Sequence, residues 1–297
     1  MDRPELEVIV VSHGAKDLLR DCLLSLREHP ASVPTRVTVV DSGSVDDTPD
    51  MVEEEFPEVR LFRLGNVGFS AANNQVLREA GLDLAPAGYL LLNPDTKVRA
   101  GTLDVALKRL ESDPRIGMVG VRLEKSDGTL DHAAKRSFPT PVAALAHFTG
   151  LGRLPGAPAK LTQYRATWLD ESEPGAVDAV NGAFMLVRAE AVRAVGLLDE
   201  GYWLYMEDLD WCRRFAEAGW QVFYEPAGTA LHIKGGSSPS RRRPKQEIAF
   251  HRGMGRFYRR FDAPLNPALL NLIVYLGIGL KLTLSLAITM ATSRRSR

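Results

Sequence analysis

The chain has 297 residues, enough to bury a substantial core in one large domain or two small ones. Its 45% hydrophobic and 25% charged residues are ordinary for a globular protein. The net charge of zero conceals an asymmetry: residues 241–297 carry 12 Lys and Arg against two acids, a net of +10, and the remainder carries 25 basic against 35 acidic residues. An acidic body with a basic tail predicts two surfaces with different partners.

The cysteines and the first residues indicate the compartment. Cys22 and Cys212 are the only two cysteines, which excludes a disulfide framework and suits a reducing environment. Residues 1–7 are charged, and the apolar run "VIVVSHG" is too short for the core of a signal peptide. We therefore expect the body of the protein to stay in the cytosol.

Strand and helix patterns alternate from residue 6 to residue 95. The predicted strands are "LEVIVVSHG", "RVTVVDSGSVDD", "EVRLFRLG" and "GYLLLNPD", and between them lie the helical patterns "AKDLLRDCLLSLREH", "TPDMVEEEF" and "GFSAANNQVLREAG". This alternation predicts a doubly wound α/β sheet, in which ligands bind beyond the carboxyl ends of the strands. Polar residues collect at those ends: Ser12, His13, Asp41 to Ser44, Asn66 and Asn93 to Asp95.

The second half of the chain is less regular. Asp127–Gly128 predicts a hairpin turn, and residues 150–175, rich in Gly, Pro and Ala, predict a mobile loop. A strand and a helix are expected in "AVDAVNGAFMLVRAEAVRAVG". A further pair of strands is expected in "GWQVFYEPAGTALHIKGG", ending at His232.

Taken one at a time, the candidate residues have ordinary structural interpretations. Asp41 and Asp95 both fit turns that follow strands, and His232 fits a packed histidine. The acidic run in "YWLYMEDLDWCRR" fits the start of an amphipathic helix, where carboxylates favour the N-terminus.

The order of the motifs favours a more specific interpretation. The chain contains, in this order, "VIVVSHG", "VVDSGSVDDT", "GNVGFSAANN", "LLLNPDTKV", "VNGAFMLVRAEAVRAVGLLDEGYWLYMEDLDWCRR" and "LHIKGGSS". Over residues 5–262 it resembles the family 2 glycosyltransferases with the GT-A fold, most nearly their bacterial rhamnosyltransferase branch. The resemblance implies a GT-A catalytic domain over 1–262, with a Rossmann-like, mostly parallel sheet flanked by helices, followed by a hydrophobic segment over 263–297.

The resemblance implies a nucleotide-sugar donor, dTDP- or UDP-linked, whose diphosphate needs a divalent cation. Mg²⁺ or Mn²⁺ prefers oxygen ligands and keeps substrate phosphates and water in its shell. The family's metal-binding Asp-x-Asp is matched by Asn93-Pro94-Asp95, where Asn93 is a neutral departure, and its late histidine is matched by His232. The implied metal ligands are therefore Asp95 and His232. The implied donor-binding residues are Ser12, His13, Asp41, Ser44, Asn66, Gly68, Asn93 and Asp95.

The resemblance also assigns the acidic run. Displacement at the anomeric carbon needs a base for the acceptor hydroxyl's proton, and Asp208 matches the family's base, with Glu207 beside it. A carboxyl group walled by aromatic rings and next to another carboxylate should have a raised pKa. One step without a covalent intermediate implies inversion. Candidates for acceptor or phosphate binding are Trp203, Asp210, Trp211, Lys234, Ser237 and Arg241, with Asp210 expected to be mainly structural.

The tail predicts membrane association. Residues 268–291 number 24, of which 17 are apolar, and a span needs ~20. Lys281 within this stretch, and basic residues at both of its ends, favour a helix lying in the cytoplasmic leaflet over a clean span. A single span and an oligomer interface are the alternatives. The basic stretch "KGGSSPSRRR" is expected to meet a diphosphate, of the donor or of a lipid carrier.

Together these features predict a metal-assisted, inverting glycosyltransferase at the cytoplasmic face of the membrane. The resemblance suggests transfer of L-rhamnose from dTDP-rhamnose to a polyprenyl-diphosphate-linked saccharide in cell-envelope polysaccharide synthesis, with no nucleic-acid partner. A nucleotidylyltransferase is one alternative, although "VVSHGAKDLL" is a poor match to the Gly-rich basic loop it would need. A non-catalytic, membrane-bound carbohydrate-binding module is another, and the joint presence of Asp95, Asp208 and His232 argues against it.

Overall fold

A computed structural model describes residues 6–79, 87–139, 166–233 and 243–295. The strands are β1 Leu6–Ser12, β2 Thr35–Ser42, β3 Arg60–Leu64, β4 Gly88–Leu92, β5 Thr96–Val98, β6 Ile116–Glu124, β7 Lys135–Arg136, β8 Gly175–Val177, β9 Ala179–Val180, β10 Phe184–Arg188 and β11 Gln221–His232. The helices are α1 Lys16–Glu28, α2 Thr48–Glu55, α3 Phe69–Glu79, α4 Thr102–Ser112, α5 Ala189–Val195, α6 Glu207–Glu217, α7 Pro244–Phe261 and α8 Ala268–Arg295, with a 3₁₀ turn at Ala263–Leu265.

The main sheet has the order β3-β2-β1-β4-β10-β6-β11-β5, with β8 also paired to β11. Strands β1 to β4 are parallel to one another, and β6 is parallel to β11. Strand β10 is antiparallel to both of its neighbours, β4 and β6. The predicted α/β architecture with a mostly parallel central sheet is therefore confirmed.

The apolar pattern of the sequence accounts for this core. All seven residues of β1, "LEVIVVS", are buried because helices cover both faces of a central parallel strand. In α1, Leu19, Leu23 and Leu26 recur every three or four residues and are buried together on one side of the helix. The side chains of the first strands thus pack between two layers of helix, and the strand ends remain available for a site.

Two predicted elements differ from the structure. The turn at Asp127–Gly128 is present, but a single bridge between Glu124 and Leu130 closes it instead of two paired strands. The expected pair of strands ending at His232 is one long strand, β11, whose pairing with β6 shifts register between Glu225 and Thr229. Most of the expected mobile loop, residues 150–165, lies outside the described residues.

The C-terminal helices behave differently from each other. Helix α7 packs on the body through Phe257 and Phe261, which are buried. Helix α8 is joined to it by the Tyr258 hydroxyl, which donates to Asn271 Oδ1 at 2.7 Å. Among the described helices, α8 alone is long and apolar enough to cross a membrane, over Ala268–Met290 with a mean hydropathy of 1.9. None of that window is buried against the body.

Candidate active site

The carboxyl ends of β1 and β2 bring several predicted donor-binding residues together. Ser12 and Asp41 are register partners, and both are buried. The Asp41 carboxylate accepts hydrogen bonds from the backbone N–H of Ser44, at 3.1 Å, and from its hydroxyl. His13 Nδ1 lies 2.8 Å from the carbonyl oxygen of Ser42, and its Nε2 lies 3.3 Å from Nδ2 of Asn66. These residues form one polar surface at the edge of the sheet.

Gly68 connects this surface to the predicted acceptor side. Its φ is +89°, and a Cβ atom there would lie 2.4 Å from both Cδ1 and the carbonyl oxygen of Trp203. The next residue, Phe69, donates its backbone N–H to that carbonyl at 2.8 Å. Only glycine fits this approach, so Gly68 has a steric role that the sequence alone did not reveal.

The Asn93–Asp95 turn follows β4 directly. The backbone N–H of Asn93 donates to the carbonyl of Ala183 at 3.1 Å. The Asp95 carbonyl accepts the backbone N–H of Ile233 at 2.9 Å, which fixes the end of β11 and therefore His232 beside this turn. The structure thus brings together the two residues that the sequence suggested as metal ligands.

His232 lies between two carboxylates. Its Nδ1 is 3.0 Å from Asp131 Oδ2, and its Nε2 is 3.5 Å from Asp95 Oδ1. All three side chains, which we term the histidine cluster, are buried. Burial lowers the pKa of the imidazole, but the hydrogen bond with Asp131 and the nearby negative charges of Asp95 and Asp131 outweigh it and raise that pKa to about 9. Asp131 was missed in the sequence, where nothing distinguishes it from a loop aspartate.

Asp95 and His232 of the histidine cluster are the described residues that could hold a divalent cation, with substrate oxygens and water as its other ligands. Within the described residues there is no group of three or more His, Cys, Asp and Glu side chains arranged to hold a metal. Asp95 and His232 nevertheless place one oxygen and one nitrogen 3.5 Å apart. Asp131 on Nδ1 turns Nε2 toward Asp95, as outer-shell carboxylates do for ligating histidines. Mg²⁺ and Mn²⁺ sites commonly need only one or two protein ligands beside phosphate oxygens and water.

Glu207 and Asp208, the acid pair, are the first two residues of α6. Asp208 Oδ2 lies 2.5 Å from Nη2 of Arg136, which also donates to the carbonyl of Val180 at 2.5 Å. Glu207 is 7% exposed, and its Oε2 has no hydrogen-bond partner among the residues that the structure describes. Burial and the neighbouring Asp208 raise the pKa of Glu207 to about 8. The raised pKa, which was expected for the candidate base Asp208, therefore belongs to its neighbour Glu207. Arg136 is a candidate site residue that the sequence did not indicate.

The acid pair and the Asn93–Asp95 turn meet at the residues before β10. Ala183 accepts the backbone hydrogen bond of Asn93, and a Cβ atom on the adjacent Gly182 would lie 3.8 Å from Cβ of Asp208. Donor-side and acid-side residues thus share one short segment. The result is a single polar site across the carboxyl end of the sheet.

The structure corrects one predicted acceptor residue, Trp211, and gives Asp210 the structural surroundings expected for it. Trp211 is fully buried: its Nε1 donates to the Gly196 carbonyl at 2.9 Å and its ring packs on Phe215, so it belongs to the core and contacts no acceptor here. Asp210 is also fully buried, and it accepts hydrogen bonds from Tyr202, Arg214 and Arg260. Its role is structural.

Trp203 lies at the rim of the site. Trp203 is half-buried, with Nζ of Lys245 at 4.0 Å from its ring centroid. The remaining acceptor candidates, Lys234, Ser237 and Arg241, lie outside the described residues.

This architecture is the GT-A fold. The fold is shared with GalNAc-T7, solved with UDP, GalNAc and Mn²⁺, at a TM-score of 0.61 and 14% identity, over 87% of this chain and 48% of that one. It is also shared with the mannosyltransferase PcManGT from Pyrobaculum calidifontis, solved with GDP-Man and Mn²⁺, at a TM-score of 0.57 and 19% identity, over 100% of this chain and 77% of that one.

Sequence comparison gives the family. The profile described as "Glycosyl transferase family 2" matches residues 7–172. The N-acetylglucosaminyl-diphospho-decaprenol L-rhamnosyltransferase of Mycobacterium tuberculosis is 32% identical over 254 residues, covering 83% of this chain and 81% of that protein. Rhamnosyltransferase WbbL of Escherichia coli is 28% identical, covering 76% and 82%. The chain belongs to glycosyl transferase family 2, in its rhamnosyltransferase-like branch, and is a glycosyltransferase.

Proposed function

We propose that the enzyme transfers L-rhamnose from dTDP-rhamnose to a polyprenyl-diphosphate-linked saccharide, with inversion and with the help of Mg²⁺ or Mn²⁺. The observation that carries the proposal is the meeting of the acid pair and the Asn93–Asp95 turn at Gly182–Ala183. A base next to a diphosphate-binding edge is what direct displacement at a sugar carbon needs.

The sugar and the acceptor are proposed from the curated relatives. Two of them are named rhamnosyltransferases, and the name of the mycobacterial protein gives an N-acetylglucosaminyl-diphospho-decaprenol acceptor. A lipid-linked acceptor also suits the apolar helix α8, in which no residue over Ala268–Met290 is buried. We therefore place the reaction at the cytoplasmic face of the membrane, as a step of cell-envelope polysaccharide synthesis.

The donor side binds and orients the nucleotide sugar. Asp41 and Ser44 would contact the base or ribose, with Ser12, His13 and Asn66 lining the same pocket. Ser12 Oγ is buried with no hydrogen-bond partner among the described residues, which fits a group that a ligand satisfies. Asp95 and His232 would hold the cation, which when bound supplies positive charge against the diphosphate and its leaving oxygen.

The acid pair carries the proton transfer. Asp208 accepts the proton of the acceptor hydroxyl as that oxygen bonds to the anomeric carbon and the bond to the donor diphosphate breaks. Arg136 holds the Asp208 carboxylate in one orientation through its 2.5 Å contact. Glu207, with its pKa raised to about 8, keeps a proton at neutral pH and can donate a hydrogen bond to a sugar oxygen. Attack opposite to the leaving group inverts the anomeric centre.

A panel assay tests the proposal. Full-length protein in detergent is incubated with dTDP-rhamnose, UDP-sugars and GDP-sugars, together with polyprenyl-diphosphate-N-acetylglucosamine, and the lipid product is analysed by mass spectrometry. We expect addition of one deoxyhexose from dTDP-rhamnose, with the opposite anomeric configuration by NMR, and at least about a hundredfold slower addition with Asp208→Asn. Transfer of a nucleotidyl group, or no transfer from any donor, would overturn the proposal.

Membrane attachment has its own test. Removal of residues 268–297 deletes α8 and keeps α7, so the shortened protein should leave the membrane fraction. It should retain transfer to a short, water-soluble acceptor and lose transfer to the long-chain lipid. High salt should release the full-length protein only in part, because burial of apolar surface is not screened. A shortened protein that still pellets with membranes, or a full-length protein that is monodisperse without detergent, would contradict the attachment.

A further inference from the structure

We propose that α7 is a positioning element for the acid pair, and that Gly253 is the residue through which it acts. The inference rests on the proposed roles of Glu207 and Asp208, and it adds a residue 45 positions downstream of Asp208 to the machinery of the reaction. The evidence is the strained backbone of the turn before α6 and the contacts that α7 makes with this turn.

The turn is formed by Tyr205 and Met206, immediately before α6. Both have left-handed backbone conformations, with φ of +70° and +75°, although neither is glycine. Such a conformation costs free energy and persists only where the surroundings enforce it. The Met206 carbonyl accepts the backbone N–H of Asp210 at 2.9 Å, so the turn sets the first turn of α6. The directions of Glu207 and Asp208 therefore depend on the Tyr205–Met206 turn.

Helix α7 packs closely against the Tyr205–Met206 turn. A Cβ atom on Gly253 would lie 3.1 Å from Cγ of Met206 and 3.1 Å from the carbonyl oxygen of Tyr205. One helical turn earlier, the Phe250 ring meets the Tyr205 ring edge-on, with centroids 6.0 Å apart. The absence of a side chain at Gly253 is therefore what lets the helix backbone support both residues of the turn.

The same helix also holds the segment leading into the turn. Arg256 donates two hydrogen bonds of 2.9 Å to the Asp199 carboxylate, and its guanidinium lies 5.4 Å from the ring centroid of Tyr202. Arg260 reaches both Asp199 and the buried Asp210 of α6, at 3.3 Å each. Helix α7 thus contacts the segment before the turn, the turn and α6, as expected for an element that fixes their relative positions.

The chain supplies a matched control for Gly253 in the same helix. Among the residues that the structure describes, and apart from the backbone of α7 itself, a Cβ atom on Gly255 would have no atom within 4 Å. Alanine at either position brings the same gain in helix propensity. Only at 253 does the added methyl group press on the carbonyl of Tyr205, so a difference between the two variants reports the contact with the turn.

The experiment compares Gly253→Ala with Gly255→Ala in the full-length protein. For transfer to a water-soluble acceptor analogue, we expect kcat of Gly253→Ala to fall about tenfold, because small displacements of a catalytic group have large effects on rate. The KM for the donor and the Kd of the nucleotide should not change. Gly255→Ala should stay within about twofold of the wild type, since its methyl group would meet no described residue outside α7.

Hydrogen exchange gives a readout that does not depend on turnover. The backbone amides of residues 203–209 should exchange faster in Gly253→Ala than in Gly255→Ala or the wild type. A wild-type protein that transfers no sugar would defeat the proposed function, and the exchange comparison would still decide whether α7 supports the turn. Equal exchange and equal kcat in the two glycine variants would overturn the inference.

Phe250→Leu is a second variant should Gly253→Ala fail to fold. It removes the edge contact with Tyr205 and adds no atoms near the turn. It should lower kcat and leave donor KM unchanged, as Gly253→Ala does. A Phe250→Leu enzyme with wild-type kcat and wild-type exchange at 203–209 would also overturn the role of α7.

Discussion

The histidine cluster and the acid pair each combine two carboxyl groups with one basic group, but the raised pKa belongs to the base, His232, in the first and to an acid, Glu207, in the second. In the histidine cluster, one imidazole lies between Asp95 and Asp131, so two carboxylates favour its protonated form and raise its pKa to about 9. In the acid pair, two adjacent carboxyl groups have Arg136 as a cationic partner on Asp208. Burial and that neighbour raise the pKa of Glu207 to about 8.

The difference separates two tasks within one site. In the histidine cluster, the two carboxylates around the imidazole favour positive charge. A divalent cation can therefore bind there in place of the imidazole proton. In the acid pair, Asp208 is ion-paired with Arg136 and ionised. The neighbouring Glu207 keeps its proton, as in other sites where two adjacent acids cannot both ionise. We therefore expect substitutions in the two clusters to affect different measurements.

The largest expected effect is at Asp208. Asp208→Asn keeps the shape of the side chain and removes its basicity, so kcat should fall at least about a hundredfold, the usual scale of general-base catalysis. Nucleotide binding, measured by calorimetry, should hardly change, because the proposed donor contacts lie at the ends of β1 and β2 and at the histidine cluster. Near-normal kcat in Asp208→Asn together with an inactive Glu207→Gln would assign the base to Glu207 instead.

Asp95 is expected to show the reverse pattern. Chelation should abolish or strongly reduce transfer by the wild type, and Mg²⁺ or Mn²⁺ should restore it. Asp95→Ala should weaken nucleotide binding in the presence of metal by roughly a hundredfold, the upper end of the range for residues around a metal, and should leave metal-free binding unchanged. Full activity of the wild type in a chelator would show that the cluster holds no required cation.

Asp131→Asn tests the outer part of the histidine cluster. The amide can still accept a hydrogen bond from His232 but carries no charge, so Mn²⁺ affinity in the presence of nucleotide should fall about tenfold. Electron paramagnetic resonance of free Mn²⁺ measures this without turnover. A matched substitution on the exposed surface, Asp127→Asn, should leave the affinity as it is. An unaltered Mn²⁺ affinity in Asp131→Asn would show that Asp131 does not contribute to cation binding.

The smallest effect concerns stability at the acid pair. Glu207 has a pKa of about 8 in the folded protein against 4.5 ordinarily, so between these values the folded state holds the extra proton and stability falls as pH rises. Glu207→Gln lacks this titration. Its Tm should therefore rise relative to that of the wild type between about pH 5 and about pH 8. Parallel Tm curves for the two proteins would mean that Glu207 is not held protonated.

The sequence predicted what depends on local pattern and order. The alternation of strands and helices located the sheet, and the motifs identified Asp95, His232 and the acid pair. Arg136 and Asp131 could not be predicted, because they lie 72 and 101 residues from the partners that give them a role.

Trp211 was misassigned because its motif places it near Asp208 along the chain, whereas packing of α6 turns it into the core. The pair of strands expected to end at His232 is one strand, β11, which continues through "EPAG" with a shift in its pairing to β6.

The position of β10 has a consequence for synthesis of the protein. Strands β1 to β4 come from the first part of the chain, but β10, which covers the free edge of β4, begins at Phe184. At about 5–20 residues per second, a ribosome needs several seconds or more to reach it, and an unpaired strand edge is a template for aggregation throughout that time. Gly182 and Ala183, where the two halves of the site meet, arrive with β10. We therefore expect the nascent chain to form the ends of β1 and β2, which we propose bind the nucleotide, before the rest of the site. Catalytic activity should appear only after β10 has paired with β4.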